Sequence, residues 1–161
     1  MKNIIQAMNK ADIERILTEA INELIQKDNY LLENDVHERT ITSKMSDYIR
    51  KRILPKDKGG WDVDAEYNRN ERKPKSLQSG NVVPDIIIHR RGKNNPNGIE
   101  DNNLLVLEIK KHASATEKAN DETKIIAFIN EAPYFYCYGT FVNFTSANFP
   151  EIEWFERNTL F

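Results

Sequence analysis

The sequence predicts a mixed α/β (α+β) fold, in which a mixed central β-sheet is flanked by helices. Two short apolar runs rich in β-branched residues, 82–89 and 104–111, are joined by a loop-like segment rich in Gly, Asn and Pro. This pattern is typical of two antiparallel strands. A helical pattern separates these strands from later aromatic ones, and strands joined through a helix tend to be parallel. The combination predicts a mixed sheet.

Two amphipathic helices are predicted ahead of the sheet. Residues 11–28 place their apolar side chains on one helical stripe, with acidic residues on the opposite side. A second helix is predicted from about Asp35 to Arg52. Its buried face is predicted to consist of Ile41, Met45, Tyr48 and Ile49. Both stripes indicate helices packed against the core.

The remaining elements follow from shorter patterns. Alternating apolar and polar residues at 61–68 predict a strand that joins the sheet beside the hairpin. A helix is predicted at 121–131, with Lys124 in its first turn, where it would approach phosphate or simply face solvent. Aromatic residues at 134–144 and a short run at 152–155 predict two final strands.

Composition indicates a soluble globular chain. Of its 161 residues 39% are apolar and 30% charged, which argues against disordered and membrane-spanning classes. The length suits a single domain over residues 1–161. The first residues lack the apolar core of a signal peptide, and the lone Cys137 cannot form an internal disulfide. We therefore expect a cytoplasmic protein with no membrane partner.

The candidate chemistry lies at one end of the hairpin. If the two strands pair symmetrically about their loop, Asp85 lies opposite Glu108, and such cross-strand Cβ atoms are about 5 Å apart. Side chains alternate along a strand, so Glu108 and Lys110 share a face. Two close carboxylates repel each other unless a cation or a shared proton compensates. A divalent ion held by carboxylates and waters, beside a lysine, suits hydrolysis of phosphodiesters.

These residues resemble a known nuclease motif. Pro84-Asp85 is followed, after 22 residues, by Glu108-Ile109-Lys110, which resembles the motif of the PD-(D/E)XK nuclease superfamily. The resemblance implies a restriction-endonuclease-like fold and a nuclease that uses Mg²⁺, with Mn²⁺ as an alternative. It implies that Asp85, Glu108 and the carbonyl of Ile109 bind the metal and that Lys110 assists the attacking water. An ordinary hairpin with solvated charged ends stays open as the alternative.

Glu38 has two interpretations. It belongs to the same helical face as Ile41 and Met45, and the resemblance implies that an N-terminal helix contributes a Glu to the metal and catalytic site. Alternatively, Asp35 as N-cap and Glu38 three residues later would form a variant capping box, in which the Glu binds the N-cap amide. The sequence leaves both open.

Basic residues are concentrated in the middle of a chain whose net charge is −2. Residues 50–93 carry twelve basic and six acidic side chains, between two acidic flanks. Such a segment could hold a phosphate backbone, although a solvated loop rich in Lys and Arg has the same composition. The candidate nucleic-acid-binding residues are Arg69, Arg90, Arg91 and Lys93.

The sequence therefore predicts a Mg²⁺-dependent nuclease, with DNA as the expected nucleic-acid substrate. The competing class is a non-catalytic nucleic-acid or protein interaction module on the same fold, which would need no divalent ion. The sequence leaves open whether a second copy of the chain or a partner protein takes part.

Overall fold

A five-stranded mixed sheet with helices on both faces forms the centre of the protein. The computed structural model describes residues 8–53, 60–67, 75–78, 80–93, 102–146 and 150–157. The predicted α+β class, with a mixed sheet flanked by helices, is confirmed. Within those ranges, no helix is both long and apolar enough to cross a membrane.

The strands of the main sheet follow the predicted order along the chain, and two short strands that were not predicted precede the hairpin. In sequence they are β1 (Asp62–Ala65), β2 (Ser76–Leu77), β3 (Gly80–Asn81), β4 (Ile86–His89), β5 (Asn103–Lys111), β6 (Tyr138–Phe144) and β7 (Pro150–Glu156). The sheet has the order β1-β4-β5-β6-β7, and β2 and β3 form a separate two-stranded sheet. All pairs are antiparallel except β5 and β6, which are parallel. The predicted hairpin, the strand beside it and the parallel crossover are therefore confirmed.

The described ranges contain four helices. They are α1 (Lys10–Lys27), α2 (Asn29–Glu33), α3 (Glu38–Ile53) and α4 (Ala115–Asn130). Most residues of the predicted stripes of α1 and α3 are buried against one face, where Ile86, Leu105 and Leu107 meet them, but Tyr48 of the predicted α3 face is only partly buried. Helix α4 covers the other face through Ile125, Phe128 and Ile129, which pack with Ile87 and Val106. Alternation along β4 and β5 thus supplies apolar side chains to two separate core layers.

Two predicted helix starts are wrong. The chain around Asp35 is not yet helical, because α2 ends at Glu33 and α3 begins only at Glu38, so Asp35 is not an N-cap. Helix α4 begins at Ala115 rather than Asp121, because Ser114 and Glu117 form a capping box. Lys124 consequently lies in the third turn of α4, well inside the helix.

The hairpin has the predicted register. Ile86 pairs with Leu107. Asp85 directly precedes Ile86 and Glu108 directly follows Leu107, so these two residues lie opposite each other. Ile87 and Val106 point toward α4. Side chains two residues apart in a strand share a face, so Asp85, Glu108 and Lys110 point the same way. The predicted shared face of Glu108 and Lys110 is therefore the face that α4 covers.

Helix α4 approaches the sheet closely at Gly139 of β6. A Cβ atom at this position would overlap Cγ2 of Ile125 and lie 3.5 Å from Cγ1 of Val106. The missing side chain lets the helix settle on β5 and β6. Ile125, which makes this contact, is the neighbour of Lys124 in α4. The close packing therefore brings the polar residues of α4 near the carboxylates of the hairpin.

Candidate functional site

Asp85 and Glu108 lie side by side where β4 begins and β5 continues beyond it. Oδ2 of Asp85 accepts a hydrogen bond from the backbone N–H of Ile109 at 2.8 Å. Glu108 is only 1% exposed. Burial, and after it the negative charge of Asp85, raise the pKa of Glu108 well above its usual range. The expected pair of crowded carboxylates is present in the structure.

Lys110 and Glu38 complete one side of this cluster. Nζ of Lys110 lies 3.6 Å from Oε1 of Glu38 and 3.8 Å from Oδ2 of Asp121. Oε2 of Glu38 accepts a hydrogen bond from the backbone N–H of Lys111 at 3.0 Å. The Glu38 carboxylate therefore points to β5 and the site, as one of its two interpretations predicts.

The charge state of Lys110 limits what it can do. Burial lowers the pKa of Lys110, but the surrounding carboxylates, Asp121 and Glu38 foremost, outweigh burial, and the net pKa is raised. Lys110 is therefore an ammonium group at neutral pH. It can donate hydrogen bonds and balance negative charge, but it cannot accept a proton from water.

Helix α4 contributes two charged residues that the sequence did not identify as site residues. Nζ of Lys124 lies 2.9 Å from Oε1 of Glu108 and 3.9 Å from Oδ1 of Asp121. Asp121 is 9% exposed, and its Oδ2 accepts no hydrogen bond from the part of the chain that the structure describes. Burial raises the pKa of Asp121, and the charges of Lys110 and Lys124 oppose this rise.

A pattern signal for these two residues existed. Asp121 and Lys124 occupy the helical positions i and i+3 of the same stripe in which Ile125 and Phe128 are i+4 and i+7. The predicted helix 121–131 already contained all four residues, but only its isoleucines were assigned to the buried face. With the helix extended back to Ala115, the stripe directs both charged residues at the sheet.

The cluster has an excess of negative charge. It contains four carboxylates, from Glu38, Asp85, Glu108 and Asp121, and two ammonium groups, from Lys110 and Lys124. Because the pKa values of Glu108 and Asp121 are raised, the full excess of two negative charges is present only when both of these carboxyl groups are ionised.

The donor set fits a hard divalent ion with few protein ligands. Across the described ranges, no three His, Cys, Asp or Glu side chains stand close enough to hold an ion by themselves. Mg²⁺, however, commonly takes only one or two carboxylates and completes its shell with water. Asp85 retains one oxygen that the Ile109 amide does not occupy, and the buried Asp121 Oδ2 could accept from a bound water. Asp85 and Glu108 therefore carry the donor chemistry of a two-carboxylate site, although Lys124 lies against Oε1 of Glu108.

A polar cleft opens beside Glu38. It has a volume of about 590 Å³ and is lined by residues 32–38 together with Lys111 and His112. Its mouth is therefore formed by the start of α3 and the end of β5, the two elements that supply Glu38 and Lys110. The cleft meets the carboxylate cluster at Glu38, the one residue that belongs to both.

Three of the four predicted nucleic-acid-binding residues are described by the structure, and they lie away from this cluster. Arg90, Arg91 and Lys93 follow the C-terminal end of β4, whereas Asp85 precedes its N-terminal end, so Asp85 and Arg90 are separated by roughly 17 Å along the strand direction. The guanidinium of Arg90 stacks on Trp61 at 4.0 Å, and Nη2 of Arg91 lies 2.5 Å from Oδ1 of Asp64. Arg69 lies outside the described residues. A role in binding nucleic acid stays a prediction for all four.

Comparisons of the chain with protein families, with curated proteins and with solved structures found no match.

Proposed function

We propose that the protein is a Mg²⁺-dependent nuclease of the PD-(D/E)XK type, with a restriction-endonuclease-like fold, which hydrolyses phosphodiester bonds of DNA in the cytoplasm. The observation that carries this proposal is the position of Asp85 beside the buried Glu108, with Lys110 on the same face and Glu38 next to it. Mn²⁺ is the expected substitute ion.

Each residue has a role that its contacts support. Asp85, Glu108 and the carbonyl of Ile109 would hold the ion, which when bound polarises a phosphoryl oxygen and lowers the pKa of a coordinated water. Lys110, an ammonium group, would donate hydrogen bonds to the attacking water or to a phosphate oxygen and balance the developing charge. Glu38 would hold Lys110 in place through their 3.6 Å contact. The cleft beside Glu38 would admit the substrate strand.

A direct assay tests this proposal. Single-stranded and double-stranded DNA and the corresponding RNA are incubated with the protein in MgCl₂, in MnCl₂ or in EDTA. We expect cleavage of DNA with either metal and none in EDTA, because the carboxylates alone supply no activated water. We also expect the melting temperature to rise with added Mg²⁺, since an ion that binds only the folded state stabilises it. Equal cleavage with and without EDTA would contradict the proposal.

A second function has one observation in its favour. The contact of Lys124 with Glu108 neutralises the buried carboxylate without any ion, as a non-catalytic nucleic-acid or protein interaction module on this fold would require. Such a module should show no cleavage of any substrate and a melting temperature that does not respond to Mg²⁺. The melting experiment therefore separates the two functions even before a substrate is known.

Glu38→Gln tests whether Glu38 belongs to the site. The amide oxygen of Gln can still accept the Lys111 N–H, so we expect the metal-free melting temperature to change by no more than about 2 °C. The charge that holds Lys110 is lost, so we expect cleavage to fall by about 10- to 100-fold, the usual effect of removing a residue that orients a site group. The stabilisation by Mg²⁺ should also shrink. Full activity and an unchanged response to Mg²⁺ would limit Glu38 to its hydrogen bond with β5.

A further inference from the structure

Lys124 occupies the place beside Glu108 where a cation is needed. Its Nζ lies 2.9 Å from Oε1 of Glu108, and the Glu108 side chain is 2% exposed. An ionised carboxylate so deeply buried is costly without a cation beside it. Lys110 lies on the same face but has its ion pairs with Glu38 and Asp121 instead. Lys124 is therefore the only lysine within ion-pair distance of Glu108 among the residues that the structure describes.

The remaining contacts of Lys124 are weak enough to be exchanged. Its Nζ lies 3.9 Å from Oδ1 of Asp121 and donates to the carbonyl of Val83 at 3.4 Å. Its side chain is 23% exposed, whereas that of Glu108 is almost fully enclosed. A lysine has a flexible four-carbon stem, so the ammonium group can rotate toward solvent while α4 stays in place. Glu108 has no comparable freedom.

We propose that Lys124 is a displaceable counterion: it neutralises Glu108 while the site holds no metal, and it must leave Glu108 when a divalent ion binds. Lys124 is thus a positioning residue that weakens metal binding and sets the ion concentration at which the site fills. This inference rests on the proposed function, because it takes Glu108 as a metal ligand. It adds that the site has an internal competitor for the metal, located on a different element from the ligands.

The test compares metal affinity in matched variants. Lys124→Met removes the ammonium group and keeps the length of the side chain. Lys118→Met is the control, because Lys118 lies on the same helix but pairs with Glu153 and Glu122. Isothermal titration with MnCl₂ and with MgCl₂ is carried out at about pH 8.5, where protons compete least for carboxylates. We expect Lys124→Met to bind either ion about tenfold more tightly than the wild type, because one competing unit charge is removed at close range. Lys118→Met should bind like the wild type.

A conservative variant and a measurement without metal complete the experiment. Lys124→Arg retains the positive charge and should stay within about threefold of the wild-type affinity. Without metal, Lys124→Met should melt at a lower temperature than the wild type, and adding Glu108→Gln should restore much of the loss, since the uncompensated charge is then gone. If Lys124→Met proves too unstable, Lys124→Gln offers a polar replacement for the same titration.

The outcomes separate this inference from the proposed function. If the wild type binds metal and Lys124→Met binds it no more tightly, the counterion role is overturned while the nuclease proposal stands. If only Lys124→Met binds metal, the counterion role holds, but the wild-type chain is not a metal-dependent enzyme. If neither binds metal, both are overturned. If Lys124→Met binds more tightly and Lys124→Arg does not, Lys124 is the competitor.

Discussion

Asp85→Asn should reduce Mg²⁺-dependent DNA cleavage by at least about 1,000-fold, because the metal ion provides several kcal/mol of transition-state stabilisation and Asp85 is one of its two carboxylate ligands. The side-chain oxygen of Asn can still accept the N–H of Ile109, so the start of β4 should remain attached to β5. The melting temperature without metal should hold or rise, since one source of repulsion on Glu108 is removed. Cleavage rates and Mg²⁺-dependent melting measure these effects.

Asp62→Asn is the matched control for this substitution. Oδ2 of Asp62 also accepts a backbone N–H, from Arg91 at 3.1 Å, but at the opposite end of the sheet. The Asp62→Asn variant should cleave DNA at nearly the wild-type rate. If Asp85→Asn retains full metal-dependent activity, Asp85 is no ligand and the proposed site is wrong, whatever Asp62→Asn does.

Gly139→Ala should destabilise the fold by about 2 kcal/mol, the usual cost of forcing an extra methyl group into a packed core. The new Cβ would overlap Cγ2 of Ile125 and push α4 away from the sheet. Urea unfolding of the purified protein measures the change in free energy. Because α4 also holds Lys124 against Glu108, the same displacement should separate this ion pair.

A double-mutant cycle identifies the overlapping atom. Ile125→Ala removes Cγ2 and should cost about 2–4 kcal/mol, since it leaves a cavity. In that background the methyl group of Gly139→Ala has space. The double mutant should therefore be destabilised by at least about 1 kcal/mol less than the sum of the two single mutants. Strict additivity would show that Gly139→Ala destabilises the protein through its backbone and not through Ile125.

The sheet and its register were predictable because they depend on local alternation. Both strands of the hairpin, Ile86 to His89 and Leu104 to Lys111, supply apolar residues to two faces of the sheet. A register shift of one residue would move Glu108 to the opposite face. The register that buries the most apolar side chains is therefore also the one that brings Asp85 to Glu108. Burial decided the geometry of the carboxylate pair, and the pattern of burial is visible in the sequence.

The contribution of α4 was not predictable in the same way. The sequence placed the start of this helix at Asp121, since the polar residues before it carry no apolar stripe, and a capping box at Ser114 extends the helix without one. The depth at which the helix packs depends on the missing side chain of Gly139, a contact between elements that no local pattern describes. The stripe of α4 turns Lys124 toward the sheet, but its 2.9 Å contact with Glu108 depends on how deeply the helix packs.

The hydrogen bonds at the end of β5 have a consequence for self-association. Beyond Leu107, no strand within the described part of the chain pairs with β5 on its β4 side, and a row of free backbone donors there would invite pairing with a strand of another molecule. The carboxylates of Asp85 and Glu38 instead accept the N–H groups of Ile109 and Lys111. Two negatively charged side chains therefore block this edge against strand addition and protect the protein from aggregating through its central strand.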